Sequence, residues 1–211
     1  MVSVLAAAEG STDVALGNVV GSNIMNVCLI LGLAAVFRPL PTQRGLVTRE
    51  APLMAASALA VPLLALDGGV GRGNAALLLG VFALYLAWRI RTARRTPDRL
   101  AIGVTVVAVG TSLPELVSTT VAARRGEAEL AVGGVVGSNI FNTLLILDAA
   151  AMIQPVPVRP SLFVLELPAM VLASAVTLLF VATGLQLERW EGALLVGGYA
   201  VFTLLLLGRG A

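Results

Sequence analysis

Residues 108–119 read AVGTSLPELVST, a carboxylate and several hydroxyls set in a run that is otherwise apolar. Gly110 and Pro114 fall in mid-run. The proline ring clashes with the carbonyl four residues back, that of Gly110, so backbone oxygens there can be freed from the helix ladder. Glu115 follows at once. An ionisable residue at membrane depth is costly, faces a cavity and marks a functional position by default. A helix-end carboxylate reaching the headgroups is the structural alternative. Thr111 and Ser112 supply hydroxyl oxygens one turn away. Carboxylate, hydroxyl, amide and loosened carbonyl oxygens form a hard ligand set, suited to Ca²⁺ or Na⁺ and not to a soft metal.

The amide oxygens come from a phrase written twice. Residues 17–31 read GNVVGSNIMNVCLIL and residues 133–147 read GGVVGSNIFNTLLIL. Asn26 lies four residues beyond Ser22, and Asn142 four beyond Ser138, so each pair shares one face of a helix. Two matched polar faces suggest a coordinating surface; hydrogen bonding between helices is the other reading. The glycines of both phrases (Gly17 and Gly21, then Gly133, Gly134 and Gly137) also fit close helix approach.

The elements that must hold these residues are membrane spans. Of 211 residues, 58% are hydrophobic and 12% charged, too few charges to clothe a soluble domain. Apolar runs predict spans over 12–37, 46–66, 74–90, 100–123, 129–153, 161–184 and 190–208, with 1–9 resembling the tail of another helix, seven to eight in all. The N-terminus lacks a basic region and a cleavage site, so the first helix is expected to direct insertion itself. With no His and a single Cys, Cys28, the chain cannot build an internal disulfide, a Cys/His zinc site or a His-dependent triad. Cys28 reads as packing. An intramembrane enzyme finds no paired nucleophile and base, and no phosphate-cradling glycine motif is present. The expectation is a protein that is not an enzyme and holds no tight cofactor.

A shift of 116 residues lays Ala15–Asn26 on Ala131–Asn142 with nine identities in twelve. It also pairs Pro39 with Pro155, Glu50 with Glu166, Pro52 with Pro168 and Met54 with Met170. One plan was used twice, over residues 1–91 and 100–211, joined by an arginine-rich linker over 92–99. Duplicated membrane units with polar interruptions in corresponding helices point to a transporter site near the bilayer midplane. Counting spans alternately puts Arg38, Arg44, Arg49, Arg89, Arg91, Arg94, Arg95, Arg99, Arg159 and Arg209 on one side, which would be cytoplasmic.

In these motifs the chain resembles the cation/calcium exchanger superfamily, the sodium/calcium exchanger membrane region. GTSLPE followed by GSNIFN is similar to that family's second repeat, and GNVVGSNIMN to the latter part of its first. The resemblance implies an all-α polytopic protein with broken helices where the repeats meet. Glu115 would be the principal cation carboxylate, faced by Asn142 from the next helix. Thr111, Ser112 and the Ala108 carbonyl would complete that half. Ser138 would line the sodium positions, and Ser22 and Asn26 would answer from the first repeat. Such proteins exchange Ca²⁺ for Na⁺, some also moving K⁺ or H⁺, by alternating access in the plasma membrane.

Three departures accompany the likeness. The twin of Glu115 falls before Met1, so the first GTSxPE motif and its carboxylate have no counterpart in this sequence. No helix precedes either motif as the family has it, and the expectation is a chain shortened at its start and between the repeats. A non-transporting remnant or assembly subunit with an incomplete ion site is therefore the alternative function. Asp148 stands where the first repeat has Gly32, and reads as a charge paired with a neighbour or as a compensating site charge. The family also expects the Arg124-Arg125 loop on the cytoplasmic side, where alternate counting puts it outside. Both topologies stay open at this point.

Overall fold

The computed structural model describes residues 12–95 and 128–210. Six helices there are long and apolar enough to cross a bilayer: α1 (Thr12–Phe37), α2 (Leu46–Leu64), α3 (Arg72–Thr92), α4 (Leu130–Ile153), α5 (Pro160–Gly184) and α6 (Arg189–Arg209). Their ends lie within two residues of those expected. The expected span at 100–123 and the helix tail at 1–9 lie outside the described residues.

The spans sort into matched pairs by depth. The apolar stretches of α1 and α4 are 67% and 61% buried, those of α2 and α5 33%, and those of α3 and α6 17%. Hence α1 and α4 form the centre and α3 and α6 face lipid, with Leu77, Leu84, Leu194 and Leu204 all exposed. Both central helices change pitch at twin positions. In α1 the chain widens into π-turns over Met25–Leu31, and in α4 over Asn142–Leu147. Such turns are rare and concentrate at functional sites. A third widening, Leu46–Glu50, opens α2 just before Pro52, which has no N–H to offer the Thr48 carbonyl.

Four two-residue strands join the halves: β1 (Leu40–Pro41), β2 (Gly69–Val70), β3 (Val156–Pro157) and β4 (Gln186–Leu187). β1 pairs antiparallel with β4 and β2 with β3. These pairs settle the direction of every span. The loop after α1 meets the loop after α5, and Thr42 N–H donates to the Leu185 carbonyl at 2.7 Å. The loop after α2 meets the loop after α4, and Val158 N–H donates to the Gly68 carbonyl at 3.0 Å. So α1 runs toward the end where α5 finishes, while α4 runs toward the end where α2 finishes. The duplicated halves are inverted, with α4 antiparallel to its twin α1.

Alternate counting is corrected by this arrangement. The chain leaves the described bundle at the end of the α3 helix and re-enters at the start of the α4 helix on the same end. Arg38, Arg44, Arg49, Arg89, Arg91, Arg94, Arg95 and Arg189 lie toward that end. Arg159 and Arg209, expected to share it, lie toward the opposite end with Arg72. Arg159 there pairs with Asp13 at the start of α1, and Arg72 donates to the Met152 and Ile153 carbonyls, both at 3.2 Å. Arg99, Arg124 and Arg125 are outside the described residues.

Packing is exchanged between the halves. Helix α6 lies on the second part of α1, and α3 on the second part of α4. The first contact is backbone to backbone: a Cβ at Gly192 would sit 2.6 Å from the Gly32 carbonyl oxygen, and one at Gly32 3.0 Å from that of Gly192. Ion pairs repeat the inversion. Glu50 at the start of α2 binds Arg89 at 2.6 Å, and its twin Glu166 in α5 lies 3.9 Å from Arg209 at the opposite end.

Gly192→Val should therefore force α6 off α1 and destabilise the fold by about 1–3 kcal/mol, the usual cost of overpacking. Thermal unfolding in detergent would register this, with Gly197→Ala, where a Cβ meets nothing within 4 Å, as the neutral control.

Candidate functional site

The polar residues of the two repeated phrases meet where α1 crosses α4. Asn26, 1% exposed, donates from Nδ2 to Asn139 Oδ1 at 3.0 Å and to Ser138 Oγ at 3.4 Å. Asn142 donates from Nδ2 to Asn23 Oδ1 at 3.1 Å. Asn23 in turn donates to Thr143 Oγ1 at 2.9 Å and to the Met170 sulfur at 3.6 Å. Asn139 donates to the Asn23 backbone carbonyl at 3.1 Å, and the Thr143 hydroxyl to the Asn139 carbonyl at 2.9 Å. The result is a closed lattice of four asparagines with Ser138 and Thr143, built from two helices more than a hundred residues apart.

One acceptor is left over. Asn26 Oδ1 is buried and has no hydrogen-bond partner among the described residues. A buried amide oxygen without a donor costs free energy that an ion could return. Its hardness suits a cation of the alkali or alkaline-earth class. No group of three or more Asp, Glu, Cys or His side chains gathers among the described residues, so the described part of the site is neutral and amide-built.

The sequence-derived residues divide accordingly. Asn26 and Ser138 are in contact, Asn142 joins the same lattice through Asn23, and Ser22 sits one turn before Asn26 on α1. Glu115, Thr111, Ser112 and Ala108 lie outside the described residues. Three lattice members were not singled out from the sequence: Asn23, Asn139 and Thr143. The first two carried a signal, since they are twins under the 116-residue shift. Thr143 carried none, because its twin is Val27. The interhelical hydrogen bonds weighed as the other reading of the asparagines are present. The glycines do not serve helix approach among the described residues: a Cβ at Gly17, Gly21, Gly134 or Gly137 meets nothing within 4 Å, and one at Gly133 makes only an ordinary contact at 3.9 Å.

Two further residues depart from or match expectation. Asp148 is fully buried and neither carboxylate oxygen has a hydrogen-bond partner among the described residues, so the neighbour expected to pair with it is not found among them. It begins the last turns of α4, which pack on α3, where the twin segment at Gly32 needs a glycine for its contact with α6. Cys28 is a free thiol buried in the core, in keeping with a packing role.

Comparison with known proteins places this architecture. The family model described as "Sodium/calcium exchanger protein" matches residues 1–91 and 98–208. The inner membrane protein YrbG of Escherichia coli (strain K12) is 29% identical over 98% of this chain and 81% of its own length. The sodium/calcium exchanger MaX1 of Methanosarcina acetivorans is 27% identical over 97% of this chain and 83% of its own. A structure of the sodium-calcium exchanger NCX_Mj superposes with a TM-score of 0.77 at 22% identity, covering 95% of this chain and 79% of that one, a likeness of fold.

Asp148→Ala should stabilise the protein by about 1–3 kcal/mol, since it removes a buried group that no described partner satisfies. Thermal unfolding in detergent reads this directly; an unchanged or lower midpoint would show that Asp148 is stabilised where it stands.

Proposed function

Because the chain belongs to the sodium/calcium exchanger protein family, we infer that it moves Ca²⁺ across a membrane in exchange for Na⁺. The family is one of multi-pass membrane exchangers and not of catalytic enzymes. In this reading the two cations compete for one cluster of oxygens at the crossing of α1 and α4. The inverted halves rock around that cluster to open it to each side in turn. Glu115 supplies the principal charge, with Thr111, Ser112 and the Ala108 carbonyl beside it. Asn142 and Ser138 face it from α4, and Asn26 and Ser22 answer from α1. K⁺ or H⁺ as a co-transported or alternative ion belongs to the same scheme.

The single observation that carries this reading is Asn26 Oδ1, unsatisfied among the described residues and held 1% exposed at the crossing of two pitch-broken helices. Breaks in corresponding helices of inverted halves are where transporters place their ions. Orientation follows from the arginines: the end that carries Arg38, Arg44, Arg49, Arg89 and Arg91 would be cytoplasmic, in the plasma membrane. No nucleotide enters the scheme.

The test is ⁴⁵Ca²⁺ uptake into proteoliposomes loaded with Na⁺. Uptake is expected to need the outward Na⁺ gradient and to collapse when that gradient is removed. Glu115→Gln should reduce it to the level of empty liposomes. Protein that shows neither flux nor a Ca²⁺-dependent rise in thermal midpoint would instead be the non-transporting subunit.

A further inference from the structure

The lattice contains one bond made twice. Asn23 Oδ1 accepts from Asn142 Nδ2 at 3.1 Å, and Asn139 Oδ1 accepts from Asn26 Nδ2 at 3.0 Å. Asn23 and Asn139 are twins, as are Asn26 and Asn142. Each half therefore lends an amide oxygen to the other half's second asparagine, in opposite directions across the same crossing. The lending amides are themselves fixed. The Nδ2 of Asn23 is engaged by Thr143 Oγ1 and the Met170 sulfur, and that of Asn139 by the Asn23 carbonyl, so their oxygens are what remains to face the partner.

A side-chain amide has nitrogen on one branch and oxygen on the other. Anchoring the nitrogen into the lattice turns the oxygen away from it, and Asn26 Oδ1 is a buried oxygen of the lattice without a partner among the described residues. Were the amide of Asn26 or Asn142 to flip, two carbonyl oxygens would confront each other, and an NH₂ group would face the incoming cation. We propose that Asn23 and Asn139 are positioning residues that clamp the amide nitrogens of Asn142 and Asn26, so that each presents its oxygen to the transported cation. This rests on the reading of Asn26 and Asn142 as ion ligands.

Outer partners of metal ligands are commonly worth 10- to 100-fold in affinity. Asn23→Ala is expected to raise the Ca²⁺ concentration for half-maximal uptake about 10-fold in proteoliposomes, and Asn139→Ala to do the same. Half-saturation does not depend on how much folded protein each preparation contains. A carboxylate offers oxygen on both branches and needs no orienting. In an Asn142→Asp background, then, Asn23→Ala should leave half-saturation within about twofold of Asn142→Asp alone. Asn139→Ala in an Asn26→Asp background is the matching cycle if the first pair does not fold. Should the penalty persist in the aspartate backgrounds, or be missing in the wild-type background while Asn142→Ala and Asn26→Ala still weaken Ca²⁺, the positioning role is overturned and the ligand reading stands. If Asn142→Ala and Asn26→Ala themselves leave half-saturation unmoved, the ligand reading fails and the positioning role falls with it.

Discussion

An asparagine in hydrocarbon has two donors and an acceptor with two lone pairs, and no water to meet them. The arrangement at the centre of this protein follows from supplying those partners for four such side chains at once, with Asn26 Oδ1 the buried acceptor left over among the described residues. Neither α1 nor α4 can do so alone, because each amide's partner sits on the other helix. The crossing is thus held by directional bonds, in a solvent where apolar contact between helices gives little preference over lipid. Outward from that crossing the chemistry becomes steadily blander, through the second helices to the leucine-studded surfaces of α3 and α6.

Inversion makes such a lattice possible from a single duplicated plan. A parallel duplicate would bring the same groups to the same level only by side-by-side contact. An antiparallel one crosses its twin, so the second asparagine of each phrase meets the first asparagine of the other. The two strand pairs and the two arginine–glutamate pairs repeat the same relation at opposite ends of the bundle. Each half then leans on the other: α6 closes on α1 through the glycine contact at Gly32 and Gly192, and α3 closes on α4 beside Asp148.

Much of this was legible in the residues. The ends of six spans could be read from apolar runs because a bilayer enforces length, and the 116-residue shift was visible because paired glycines, prolines and asparagines survived in both copies. Direction was not legible. It depends on how many crossings separate the halves, and the signal that resolves it is two pairs of two-residue strands, too short to leave a pattern. The π-turns were also hidden, since Met25–Leu31 and Asn142–Leu147 are mostly apolar and carry no Pro or Gly to mark a change of pitch. Within the site, the four-residue spacing drew attention to Ser22 with Asn26 and Ser138 with Asn142. It passed over Asn23 and Asn139, whose importance lies across the crossing and not along one helix. Asp148 looked like half of an ion pair because buried carboxylates usually are; here the twin glycine's neighbour is backbone, and no cation among the described residues stands beside Asp148.

The crossing also imposes an order on biogenesis. Asn26 donates its hydrogen bond to Asn139, 113 residues further along the chain. At ribosomal speeds of about 5–20 residues per second, the first of the two central helices must wait roughly 6–20 s for its complement to be made. During that interval its amides reside at the translocon or in the bilayer with their bonds unmade. A newly inserted first half therefore carries its polar face without that complement until α4 has been made.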